Sequence, residues 1–210
     1  GSVLSTSTEA IYMKALARVI ANPHASEALY TVLASPMFCF NTLDFMQLCV
    51  GGKSLDVAFF ELAASSSEKF EAINSKISLL VELIHKYVAR VQTSSMAKLM
   101  ADICVDCGLF SRFESLGVDG NAQAGNVLKV IRMVEAIESA FCINHLSTAN
   151  KLEAQLAYAK LPPGSISTDQ SNFVKIMTVH SSKGLEFPIV AVAALKDSGS
   201  GGGKLGTTRI

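Results

Sequence analysis

Thr178, His180, Ser182, Lys183 and Glu186 crowd together between two apolar runs, in the stretch VKIMTVHSSKGLEFPIV at 174–190. Hydroxyl, imidazole and ammonium groups can donate to a phosphate backbone, and an acceptor-only carboxylate suits a ribose hydroxyl. Thr178 and His180 alternate with Met177 and Val179, so a strand ending here turns both polar side chains to one face. Gly184 permits a tight turn and a close backbone approach to a ligand. Leu185 and Phe187 flank Glu186 and can anchor it from the apolar side. By residue type alone, a ligand loop and an ordinary loop both stay open.

Other polar groupings are less suited to chemistry. Gly51-Gly52-Lys53-Ser54 has the ending of a phosphate-binding loop, but that pattern needs a glycine at position 47, which is Gln47. The segment also follows a helical pattern, so it reads as a helix-to-helix turn. No paired acids follow a hydrophobic strand, so the chain lacks both grips on a triphosphate and magnesium and is predicted to be inactive alone. Cys104-Val-Asp-Cys107 has C-x-x-C spacing without a second Cys/His pair, and reads as two core cysteines. His24, His85 and His145 stand singly, with surface or packing roles. Glu135 and Glu138 read as a solvated helix face with no convergent partner.

The elements that must position these residues are mostly helices. Apolar residues recur at helical spacing over 9–21, ending at Asn22-Pro23, and over 25–34, ending at Ser35-Pro36. Thr42 can cap a third helix containing Phe45, Met46 and Cys49, and Ser54 a fourth with Val57, Phe59, Phe60 and Leu62. Phe70, Ile73, Ile77, Leu80, Ile84, Tyr87 and Val91 predict a long helix over 67–92. Another covers 95–107, and Val127, Val130, Val134, Ile137 and Phe141 mark a second long one over 122–143. Asp119-Gly120-Asn121 is expected to break the chain before it. A last helix covers 147–160. Helix packing accounts for all of these stripes.

At Leu161-Pro162-Pro163-Gly164 the composition changes, as at a linker or domain crossing. Residues 173–179 and 188–195 are apolar and β-branched, like buried strands of a parallel sheet. Residues 198–206 are too glycine-rich to fold alone and read as a flexible tail.

The chain has 210 residues, half of them hydrophobic, and its 18 basic and 18 acidic residues cancel. It therefore lacks the field of a self-sufficient non-specific DNA binder. No apolar run approaches the roughly 20 residues needed to span a bilayer, and no membrane partner is expected. The start lacks a signal peptide, and Gly1-Ser2 reads as a cloning scar on an excised piece of something longer. An odd number of cysteines, five, fits the reducing cytoplasm.

The stretch at 174–190 resembles motif V of UvrD/Rep-type superfamily 1 DNA helicases, T-x-H-x-x-K-G-L-E-F-P. Residues 21–38, with Asn22-Pro23, Ala28-Leu29 and Ser35-Pro36-Met37-Phe38, together with Gly125-Asn126-Val127-Leu128, are similar to segments of AddA/RecB-type helicase–nuclease subunits. His24-Ala25-Ser26 departs from the acidic residues usual after Asn-Pro there. The resemblance implies that Thr178, His180 and Ser182 contact DNA, that Lys183 and Gly184 shape the loop, and that Glu186 bonds the ATP ribose. It implies a mainly α chain. A helical bundle-like insertion subdomain at 1–164 would precede a β-strand–loop–β-strand piece of a RecA-like motor domain at 165–197 and a tail at 198–210.

For the parent protein the resemblance implies an ATP-dependent DNA helicase, with an exonuclease activity in repair or recombination. ATP and magnesium would be its cofactors, none of them bound to this chain alone. Single-stranded and duplex DNA, the rest of the motor domains and a nuclease or helicase subunit would be its partners. The chain would supply the loop that couples ATP to single-stranded DNA. The other reading is a non-catalytic all-α module that binds protein or DNA.

Overall fold

Apolar spacing sets which stretches coil, and capping side chains set where they start. The computed structural model describes residues 3–65, 74–158 and 161–164, all within one compact unit, Gly1–Thr168. After a short 3-10 turn at Leu4–Thr6 come α1 (Thr8–Ala21), α2 (Ser26–Ala34), α3 (Thr42–Leu48), α4 (Leu55–Ala64) and α5 (Ser75–Val88). Then follow α6 (Met96–Asp106), α7 (Leu109–Glu114), α8 (Val118–Phe141) and α9 (His145–Tyr158).

Ser7 caps α1 and Ser95 caps α6, each hydroxyl accepting from a first-turn backbone N–H. For α3 the cap is Asn41 rather than Thr42. Its side chain accepts from the Asp44 N–H at 3.1 Å, and the Asp44 carboxylate accepts from the Asn41 N–H at 2.7 Å. This reciprocal pair satisfies two N–H groups, whereas Thr42 as cap would satisfy one. Gly117, at φ 62° and ψ −127°, takes a backbone geometry closed to other residues and turns the chain from α7 into α8.

The core lies where α1, α6, α8 and α9 meet. Met13 and Ala17 of α1, Leu99 and Met100 of α6, Val127, Val130 and Val134 of α8 and Leu152 of α9 are fully buried there. At 24 residues α8 is about 36 Å long and packs against α1, α6, α7 and α9. Helices α2 to α5 form a flanking arm, with α2 on α1 and α4 bridging α2 and α5. Cys104 and Cys107 are buried in the core, with the Cys104 thiol 3.8 Å from the Met13 sulfur.

Three expectations are corrected. Among the described residues all regular structure is helical and none is strand, so the described fold is all-α, against the expected helical body with a strand–loop–strand piece of a RecA-like domain. Residues 173–179 and 188–195, to which strands were assigned, lie outside the described residues. Second, Asp119-Gly120-Asn121 does not break the chain, because α8 starts at Val118 and runs through it. Gly120 instead admits α7: a Cβ there would lie 1.8 Å from the Phe113 carbonyl oxygen. Third, the helix predicted over 67–92 is described only as Ser75–Val88, with Asn74 as its cap.

Candidate functional site

The α3 sequence TLDFMQL has apolar residues on more than one side of the helix, so burying one side leaves another in solvent. Which side is buried is decided by Asp44. Its carboxylate is buried, takes the Asn41 N–H, and lies 2.7 Å from the Lys76 ammonium and 2.6 Å from the Asn74 amide. The Asn41 N–H, and then Lys76, hold the Asp44 carboxyl down at about 2. Lys76 also donates to the Cys39 carbonyl at 2.6 Å. These bonds fasten α3 to the start of α5.

What remains outside is apolar. Leu43, Met46 and Val50 are 67%, 65% and 65% exposed, and Tyr30 of α2 is 57% exposed. Tyr30 stacks on Phe45 with ring centroids 4.8 Å apart, and Phe45 meets Phe40 edge-on at 5.5 Å. With Cys49 and Leu55 these rings line an open cleft of about 490 Å³ whose polar edge is Asn41 and Thr42. On α4, Val57 and Phe60 are also exposed, and the His24 ring covers part of Phe60 at 4.4 Å. Met46, Val57 and Phe60, expected in the core, are therefore surface residues. A single exposed apolar residue is ordinary, but several on adjoining helices mark a contact surface.

The charge around this body is largely spent. Lys14 and Arg18 pair with Glu153, Lys53 with Glu61, Lys76 with Asp44, Lys86 with Asp106, and Arg90 and Lys98 with Asp102. Arg112 donates to the carbonyls of Pro36 and Met37, Lys129 donates to that of Pro162, and Lys151 sits over the Phe141 ring. A surface that tracks a nucleic-acid backbone needs cations free to replace its counterions.

The described residues do not fit a nucleotide or magnesium site either. Gly51 and Gly52 form the turn between α3 and α4 at φ 80° and 76°, and Lys53 is engaged by Glu61. Among the described residues no three His, Cys, Asp or Glu side chains gather as metal ligands. Burial drives the Cys104 thiol far above its ordinary range and the Cys107 thiol up to about 11, so neither is a poised nucleophile. His85 is exposed, and His145 lies 2.8 Å from the Val91 carbonyl through Nε2. Among the described residues, no helix is long and apolar enough to cross a membrane.

Thr178, His180, Ser182, Lys183, Gly184 and Glu186 all lie outside the described residues. The apolar face on α2, α3 and α4 was missed from sequence, where every stripe was assigned to the core.

The described residues thus form an all-α body with a buried polar fastening and an outward apolar face. The chain is a member of the UvrD-like helicase C-terminal domain family, whose family model matches residues 8–199. It is 25% identical over 190 residues to an ATP-dependent helicase/nuclease subunit of Thermoanaerobacter pseudethanolicus, covering 90% of this chain and 15% of that protein. The proteins of that name from Acetivibrio thermocellus and Geobacillus kaustophilus are 27% and 29% identical, over 92% and 90% of this chain and 15% and 16% of theirs. The chain thus spans about 15% of the length of the curated relatives it matches. The expectation that this chain supplies an ATP-to-DNA coupling loop is corrected. An all-helical body without strands or RecA-like elements among the described residues fits the other reading, a non-catalytic helical module.

Proposed function

We propose that this chain is a non-catalytic all-α interaction module whose apolar face on α2, α3 and α4 docks against a protein surface. The observation that carries this is the exposed set Tyr30, Leu43, Met46 and Val50, on a body whose described cations are almost all engaged. Apolar side chains gain by leaving water against a protein surface, whereas a DNA backbone would offer them little.

The occupant we commit to is another part of the same, longer protein. Relatives of this chain are several times its length, so most of what surrounds the module belongs to the same polypeptide. On the relatives' names and the AddA/RecB-type resemblance, that whole protein is an ATP-dependent DNA helicase–nuclease component of the cytoplasm. It would use ATP and magnesium, act on DNA and pair with a further nuclease or helicase subunit. Residues 1–164 would be its helical insertion, 165–197 its motif segment and 198–210 a tail. A separate proposal rests on the motif resemblance alone. It assigns Thr178, His180 and Ser182 to DNA contacts, and places Lys183, Gly184 and Glu186 beside nucleotide. A Glu186→Ala whole protein with unaltered nucleotide affinity would sink it.

The docking reading is tested by Leu43→Ser with Met46→Ser, made both in this chain and in the whole protein. The chain alone should melt as before, since both side chains are exposed in it, whereas the whole protein should lose stability as the covered face becomes polar. Equal melting of variant and parent in both settings would refute docking. Tight binding of a single-stranded oligonucleotide by the chain, lost on Tyr30→Ala, would favour a DNA surface instead.

A further inference from the structure

The Pro-Pro crossing at 161–164 is fastened to the helical body at three points. The Leu161 carbonyl accepts from the Leu4 N–H at 2.9 Å, and the Pro162 carbonyl accepts from the Lys129 ammonium at 2.6 Å. The Gly164 N–H donates to the Asn126 side-chain oxygen at 2.7 Å. The other end of that Asn126 amide donates to the Glu9 carboxylate at 3.0 Å, and both side chains are buried. One amide thus ties together the first turn of α1, the middle of α8 and the departing chain.

Gly164 is seated backbone to backbone. A Cβ added there would meet the Gly125 carbonyl oxygen at 2.0 Å and the Asn126 nitrogen at 2.7 Å, atoms that cannot swing aside. Meanwhile the strap adds little to the core: Pro162 and Pro163 are exposed, and only Leu161 packs against the buried cluster. A segment held by a few polar bonds over a polar floor can lift without emptying the core beneath it.

We propose that residues 161–164 are a latch, with Asn126 as its catch. Closed, it holds residues 161–164 against α1 and α8. Open, residues 161–164 leave that seat while the helical body keeps its core. Opening then starts with the Asn126–Gly164 bond and not at the two prolines, whose ring-locked backbone resists bending. The latch stands on these contacts alone and does not depend on the docking reading.

Amide exchange on this chain, followed residue by residue by NMR, tests the latch. The Gly164 N–H should be protected, and should exchange about tenfold faster in Asn126→Ala, as loss of one hydrogen bond allows. In Gly164→Ala the amide at 164 should become unprotected, because the added methyl group cannot be seated. Val130 and Val134 of α8 should stay protected in both variants. An unprotected Gly164 in the parent chain, or protection unchanged in both variants, would overturn the latch. So would loss of Val130 and Val134 protection in both, since the strap would then be part of the core. Were Asn126→Ala alone to unfold by stranding Glu9, Gly164→Ala would still decide.

Discussion

The Asp44 carboxylate lies 2.7 Å from the Lys76 ammonium, and this half-buried pair joins the capping box of α3 to the first turn of α5. The same carboxylate caps α3 and docks it, so local and tertiary order share one charge.

Acid should therefore loosen the α2–α5 arm early. The folded-state Asp44 carboxyl sits at about 2, below its ordinary 3.8, so its stabilisation is present above about pH 4. That contribution fades as pH falls toward 2. Melting temperature measured from pH 6 to pH 2 should drop through this window in the parent chain. In Asp44→Asn it should begin lower and vary less. An equal pH dependence in both chains would show that Asp44 is not the responsive group.

Glu138 caps a helix that is not its own. From α8 its carboxylate accepts the Met96 N–H at 2.6 Å and the Ala97 N–H at 3.1 Å, at the N-terminus of α6. Glu138→Ala leaves two first-turn N–H groups without that acceptor, at a cost of about 1–3 kcal/mol. Urea unfolding should show a lower midpoint at unchanged slope, and Glu138→Gln should recover part of it. Full stability in the alanine variant would contradict the contact.

The thiols should divide by burial. Cys39 and Cys142 are exposed, while Cys104 and Cys107 are buried with their thiols pushed upward. At pH 8 an aromatic disulfide reagent should modify Cys39 and Cys142 quickly, and Cys104 and Cys107 only once denaturant is added. Rapid labelling of Cys104 in the folded chain would take it out of the core.

Cys142 ends α8 at φ 45°, a left-handed conformation that costs a side-chain-bearing residue roughly 1 kcal/mol. Because the residue is exposed, Cys142→Gly loses little packing and should raise the melting temperature by a few degrees. A fall in melting temperature would mean that the side chain makes a contact that outweighs the strain.

Helices were the legible part of this sequence, because spacing of three and four is written in residue order. Ile77, Leu80, Ile84 and Tyr87 were read as one face and are buried as one. Glu138 was read as solvated because its partners are backbone N–H groups on α6, which sequence spacing cannot reveal. Gly120 was read as a breaker because glycine disfavours helix, but tertiary contact with Phe113 outweighs that local preference. The short α7 went unseen, since six residues carry too few turns to show a period. The apolar face had a signal after all: Leu43, Phe45, Met46 and Leu48 are too many for one side of a short helix. No rule of spacing says which of them solvent keeps.

The ion pairs that occupy Arg18, Lys53, Lys76, Lys86, Arg90 and Lys98 have a mechanical consequence. A body most of whose described cations are already engaged exerts little pull on a passing polyanion. On the proposed reading, as one module of a longer protein that acts on DNA, it would add bulk and shape but little drag.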